Sequence, residues 1–182
     1  AILILSLITI FIANGIFIGL ANPSVKKANQ QEELHIYLCF GQSNMEGNAA
    51  IGSKDKVGIN SRFRVLQAVN CPGLEREQGK WYRAIPPLAR CGTGYSLVDN
   101  FGRVMAAKLP ENIKIGVINV AIGGCAIQIF DKDGYEYHLA NEADDWIRFQ
   151  ASEYGGNPYG RLIELAKLAQ GEGGIIKGIL LH

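Results

Sequence analysis

After residue 33, three segments of the chain are apolar with little polar alternation, and between them lie two stretches in which apolar residues recur at helical spacing. HIYLCF, residues 35–40, has the pattern of a strand buried on both faces of a sheet, and Gly41 ends it. NIKIGVINVAIGG, residues 112–124, reads as a second such strand, and IIKGILLH, residues 175–182, as a third. In YSLVDNFGRVMAAKLP, residues 95–110, Ser96 and Asp99 stand at capping-box spacing. Leu97, Val98, Phe101, Val104 and Met105 form an apolar face, and Pro110 stops the helix. NPYGRLIELAKLAQGEGG, residues 157–174, predicts another helix, with Asn157 as N-cap and Pro158 in the first helical position. Its stripe is Tyr159, Leu162, Ile163, Ala166 and Ala169.

Strand, helix, strand, helix, strand in this order predicts parallel pairing through right-handed crossovers. The expected fold class is α/β: a doubly wound, mostly parallel sheet in three layers, α/β/α and flavodoxin-like. Because the pattern ends on a strand, further units are expected after it, so the C-terminal part of the domain is expected to be missing. Residues 48–95 are irregular and too long for a simple connection, which predicts a functional loop or short elements that periodicity does not reveal. Residues 131–156, rich in acidic and aromatic side chains, form a weaker segment.

The first twenty residues change the picture of the whole chain. Ala1–Leu20 is almost entirely Ile, Leu, Phe and Ala and runs into the small residues of GLANPS. Residues 1–21 are therefore expected to be an export signal cleaved near Ala21, or a retained membrane anchor; residues 22–33 are a polar linker and 34–182 the domain proper. Either alternative predicts a secreted, periplasmic or cell-surface protein whose membrane contact is confined to this segment. Net charge is +1 with the charges scattered, which argues against a nucleic-acid partner. The four cysteines show no C-x-x-C spacing and the three histidines do not cluster with them, so no metal site is expected. In an oxidising compartment Cys71 and Cys91, both in a glycine- and proline-rich stretch, are expected to bridge, with Cys39 and Cys125 as buried thiols.

Candidate chemistry gathers at one edge of the predicted sheet. Ser43 follows the first strand by one turn residue, where open α/β sheets place their ligands, and its hydroxyl is a nucleophile, an anion-binding donor or a helix cap. At the start of a helix its amide would lie in positive potential. Gly123 and Gly124 leave the second strand at the same edge with no side chain over their amides. Ser43, Gly123 and Gly124 together would hold a developing oxyanion, as acyl transfer requires. Gln42 and Asn44 adjoin the site, and Asn44 and Glu46 are expected to tie the turn to the helix start. Nothing in the sequence pairs His35 or His138 with Ser43. Trp81, Tyr82, Tyr135 and Trp146 either line a sugar groove or fill small satellite cores.

FGQSNMEGN at the first strand and VINVAIGGC at the second resemble the SGNH hydrolase superfamily. Within it they are most similar to acetylxylan esterases of carbohydrate esterase family six and to sialate O-acetylesterases. The resemblance runs from His35 to His182 and includes FDKDGYEYH, GNPYGRL and GILLH. It implies a Ser-His-Asp esterase in which Ser43 attacks an acetyl ester and Gly123 or Gly124 donates to the oxyanion. It implies an acetylated polysaccharide or sugar as substrate, with no metal and no organic cofactor. LLH looks like the opening of a block in which histidine precedes Q-G-E, which makes His182 site-adjacent. The D-x-x-H that supplies the catalytic Asp and His is expected beyond His182, and residues 1–182 alone are expected to be inactive. A non-catalytic carbohydrate-binding or surface module on the same fold is the alternative. A nucleotide domain with Ser43 as phosphate cradle lacks both the P-loop lysine and G-x-G-x-x-G.

Overall fold

The computed structural model describes residues 31–182, so the predicted export segment and most of the linker lie outside the described residues. Five strands form one sheet: β1 (Glu33–Gly41), β2 (Phe63–Leu66), β3 (Trp81–Arg83), β4 (Ile113–Ala121) and β5 (Gly174–Leu181), in the order β3-β2-β4-β1-β5. β1 is central and pairs in parallel with β4 and with β5; β2 joins β4 in parallel, and β3 adds antiparallel to β2. The helices are α1 (Ser43–Glu46), α2 (Leu97–Lys108), α3 (Tyr135–Asn141), α4 (Asp145–Glu153) and α5 (Pro158–Gly171). The architecture is the α/β, mostly parallel one that the strand and helix order predicts. The stretch from 48 to 95 adds two strands that are too short to show a period.

Alternate residues of the central strands feed two cores. Ile36, Leu38, Ile118 and Val120 pack with Leu162, Leu165, Ala166 and Ala169 of α5 and with Ile147 and Tyr154 around α4. Tyr37, Cys39, Ile115 and Val117 pack on the other face with Phe63, Val65 and α2 residues Val98 and Ala106. Burial on both faces explains why β1 and β4 read as continuous apolar runs. β5 departs from the expectation of a third strand buried on both faces. Ile179 and Leu181, two positions apart and so on one face, are more than half exposed in this strand, which forms an edge of the described sheet.

The predicted caps form. The Ser96 amide and hydroxyl donate to Asp99 Oδ2 at 2.8 and 2.9 Å at the start of α2, and Asn157 Oδ1 accepts from the Gly160 amide at 2.6 Å at the start of α5. Desolvation in this buried position raises the Asp99 pKa although the Ser96 hydrogen bonds pull it down. The apolar face of α2 is narrower than its sequence suggests, since Leu97 and Val104 are 49% and 57% exposed and the helix meets the sheet through Val98, Gly102 and Ala106. A Cβ on Gly102 would lie 2.0 Å from atoms of the Phe63 ring, so a residue without a side chain sets how closely α2 approaches. In α5, Leu162, Ala166 and Ala169 of the expected stripe are buried together with Leu165, while Tyr159 and Ile163 are only half-buried. Cys71 and Cys91 are joined across 5.3 Å between Cα atoms; Cys39 is a buried thiol and Cys125 a half-buried one.

Gly102→Ala is expected to cost roughly 1–3 kcal/mol by overpacking against Phe63. Phe63→Leu in the same chain should return part of that loss. A double-mutant cycle in urea checks it, and simple additivity of the two losses would show that the ring contact does not set the helix position.

Candidate active site

The chain leaves β1 through Gly41, whose φ of +138° and proximity to the end of β5 both require glycine: a Cβ there would lie 2.0 Å from the His182 carbonyl oxygen. The Gln42 amide donates to that carbonyl at 2.9 Å. A single helical turn follows, with the Met45 and Glu46 amides both 2.9 Å from the Gln42 carbonyl and the Gly47 amide 2.9 Å from that of Ser43. Gln42, not Ser43, occupies the cap position, so Ser43 is the first helical residue and its amide and that of Asn44 have no partner within the turn. The positive potential expected from a following helix is thus reduced to these free amides, since a four-residue turn aligns too few peptide dipoles to add a macrodipole.

β4 delivers the second half of the site. The Ile122 amide donates to the Gly41 carbonyl at 3.0 Å, which carries the pairing of the two strands beyond their formal ends. The Cys125 amide then closes on the Ile122 carbonyl at 3.3 Å, and Gly124, with φ of +79°, sits in the turn position that calls for a left-handed residue. A Cβ on Gly123 would lie 2.6 Å from Glu46 Oε2 and 4.0 Å from Ser43 Cβ. The Glu46 carboxylate thus comes closer to Gly123 than a Cβ would allow without moving it, and Gly123 stands beside Ser43. Ser43, Gly123 and Gly124 line one open cleft of about 820 Å³.

The floor of this cleft is a buried ionic network. Arg90 donates through one terminal nitrogen to Glu153 and through the other to Glu46 and to Gln150 Oε1. Arg90, Glu46 and Gln150 are all buried, and Gln150 Nε2 reaches back to the Gly123 carbonyl at 3.5 Å. Burial opposes the Arg90 charge, yet the hydrogen bond to Glu46, the nearby Tyr154 and the hydrogen bond to Glu153 hold its pKa above the usual value. Tyr154, fully enclosed and pushed up by desolvation, donates to the Ala121 carbonyl at 3.1 Å. Asn119 Nδ2 donates to the Met45 carbonyl at 2.9 Å, which ties β4 to α1. Glu46 thus does not tie its own turn, as the sequence suggests; its carboxylate crosses 44 positions of chain to Arg90.

The remaining sequence candidates fall elsewhere. Gln42 and His182 border a separate cavity of about 290 Å³ with Cys125, Ile127 and Phe130, and Asn44 Nδ2 lies 3.2 Å from His182 Nε2. In that position burial raises the Cys125 thiol to about 11. His138 is buried with Nδ1 2.9 Å from Glu142, and His35 Nε2 lies 3.0 Å from Glu33. Of the four aromatics only Trp146 lines the cleft. Trp81 packs on the α5-side core and donates to Glu172, Tyr82 packs on the α2 side and accepts from the Glu77 amide, and Tyr135 donates to Glu136. Sequence reasoning missed Arg90, Phe149, Gln150 and Glu153. Arg90 shows only as the neighbour of a bridging cysteine, and the other three lie in the segment whose periodicity is weak.

A family model described as carbohydrate esterase, sialic acid-specific acetylesterase matches residues 33–182. The chain belongs to this family of carbohydrate esterases. Two solved structures resemble this acetylesterase-family domain. One is an Arabidopsis thaliana protein, 20% identical with a TM-score of 0.56, the match covering 81% of this chain and 56% of that one. The other is NanS, 16% identical with a TM-score of 0.50, covering 83% and 53%. At these identities the likeness is one of fold, and the chain spans little more than half the length of either structure.

Replacing Arg90 by Met should destabilise the domain by about 3–5 kcal/mol, because Glu46 would remain buried without a partner. Adding Glu46→Gln should recover a large part, and urea unfolding of the single and double variants checks both. Cys71→Ser with Cys91→Ser removes the link beside Arg90 and should cost about 3 kcal/mol for a separation of 20 residues, read in the same assay.

Proposed function

We propose that this is the serine-bearing part of an exported carbohydrate O-acetylesterase. The observation that carries the reading is the meeting of Ser43 with Gly123 at the carboxyl edge of two parallel strands, inside an open cleft. Ser43 Oγ adds to the acetyl carbonyl. The oxygen that becomes negative lies toward the amides of Ser43 and of Gly123 or Gly124, where such donors are worth about a hundred- to a thousand-fold in rate each. The sugar hydroxyl leaves with a proton, and water then releases acetate from the acylated serine.

A base must take the serine proton. His138 and His35 are engaged by carboxylates of their own elements and do not line the cleft, and His182 stands by Asn44 at the other cavity. The base is therefore proposed to be the histidine of a D-x-x-H segment outside residues 31–182. The Cys71–Cys91 bond supports export through the apolar N-terminal segment, since such bonds persist in oxidising compartments. The partner is an acetylated carbohydrate. A carbohydrate-binding module without turnover is the second reading, favoured by the engagement of all three histidines away from Ser43.

In a protein holding both Ser43 and the D-x-x-H segment, Ser43→Ala should lower hydrolysis of p-nitrophenyl acetate and of acetylated xylan by at least about a thousandfold, with the unfolding transition unchanged. Retention of more than about one per cent of the rate would remove Ser43 from the mechanism. Residues 1–182 alone should be silent on both substrates. Turnover by them that His138→Ala or His182→Ala abolishes would overturn the assignment of the base.

A further inference from the structure

The turn that follows β4 has two accessible states. Residues 122–125 form a β-turn closed by the Cys125 amide on the Ile122 carbonyl at 3.3 Å. Gly124, third in the turn, has φ of +79°, while Gly123, second in the turn, lies outside the left-handed region. That combination is a type II turn, whose third residue has φ of about +80°. A type I turn keeps the same closing hydrogen bond and differs by a rotation of about 180° of the one peptide that joins Gly123 to Gly124. Glycine in the third position admits both. A Cβ on Gly124 would meet only Ile147 Cδ1, at 3.8 Å, so there is room for a side chain and the backbone conformation alone calls for glycine.

The state of this peptide decides what it presents to the cleft. In a trans peptide the Gly123 carbonyl and the Gly124 N–H point in opposite directions. The carbonyl faces the floor, toward Gln150 Nε2 at 3.5 Å, so the N–H is turned from the floor toward the open cleft that both glycines line. Neither glycine amide has an acceptor among the described residues. In the type I turn a carbonyl oxygen would replace that N–H and oppose a developing oxyanion.

The side chain of Gln150 discriminates between the two. It is 1% exposed, and Arg90, which can only donate, takes its Oε1. Nε2, also only a donor, is thereby left facing the Gly123 carbonyl. The rotated peptide would set the Gly124 N–H against Nε2, donor against donor. One hydrogen bond of ordinary worth shifts two nearly equal states by roughly fivefold.

We infer that Gln150, oriented by Arg90, is the positioning residue that keeps the Gly123–Gly124 peptide in the type II turn, with the Gly124 N–H offered to the oxyanion. This rests on the esterase reading of the cleft and adds to it a residue that acts through the glycine turn and not on the substrate.

The test uses the protein that holds both Ser43 and the D-x-x-H segment, with p-nitrophenyl acetate as substrate. Gln150→Met removes the donor and leaves Arg90 paired with Glu46 and Glu153. It should lower kcat roughly tenfold and change KM less than about twofold, because an oxyanion donor acts in the transition state. Gly124→Ala disfavours the type II turn from the backbone side and should lower kcat with Gln150 intact. Both changes act on one peptide, so the double variant should be about as slow as the slower single one. A crystal structure of Gln150→Met should show Gly124 wholly or partly at negative φ, a readout that does not depend on the esterase reading. A kcat for Gln150→Met within about twofold of wild type overturns the inference even where urea unfolding shows lost stability, since Gln150 would then only support the fold. Full additivity of the two losses overturns it as well, as does a Gly124 that stays wholly at positive φ. Ser43→Ala, measured alongside, separates the two readings. Hydrolysis that survives it overturns the esterase reading and this inference together, whereas hydrolysis that is lost with Ser43 but indifferent to Gln150 overturns this inference alone.

Discussion

The site depends on the level pairing of β1 with β4. The two strands run in parallel from Glu33 opposite Ile113 to Gly41 opposite Ala121 with no bulge, so their carboxyl ends emerge side by side. In a parallel pair a slip of one residue turns every side chain to the other face and moves the strand end by about 3.3 Å. Either change would separate Ser43 from Gly123. The two apolar cores prevent it, because each buries alternate residues of both strands, and the pairing is the common condition of stability and chemistry.

At the strand ends the backbone comes closer than side chains permit. Gly41 against the His182 carbonyl and Gly123 against the Glu46 carboxylate are positions where a Cβ would collide. Gly94 is a third, its amide 2.6 Å from the Gly47 carbonyl, where the loop after the disulfide closes on the turn after α1. Small residues at these points let three separate parts of the chain share one cleft. They also leave the amides near Ser43 open to a ligand.

Arg90 organises the floor beneath them. One guanidinium holds α1 through Glu46 and α4 through Gln150 and Glu153, and the disulfide at the next residue restrains the loop that carries it. Burying these charges is costly, and replacing them all by apolar residues is often no less stable. Their value here is positional: the planar, five-donor fork of arginine meets three acceptors from two elements in a way that neither lysine nor an apolar side chain reproduces.

Much of this was legible in the sequence. Uninterrupted apolar runs mark β1 and β4 because both faces of these strands are covered. Ser96, Asp99, Asn157 and Pro158 mark helix starts because capping is a local interaction among residues a few positions apart. Ser43 and the Gly123–Gly124 pair stand out because strand ends are where such residues gather. β2 and β3 are too short to show a period, and the exposed Ile179 and Leu181 of β5 cannot be told from buried ones by composition. The pairing of Glu46 with Arg90 and the entry of Trp146 and Phe149 into the cleft were decided only by the tertiary structure. Local order follows from contacts between near neighbours, which the sequence displays. Which distant side chains meet is set by register and crossover, through burial summed over the whole sheet, and no short stretch of sequence contains that information.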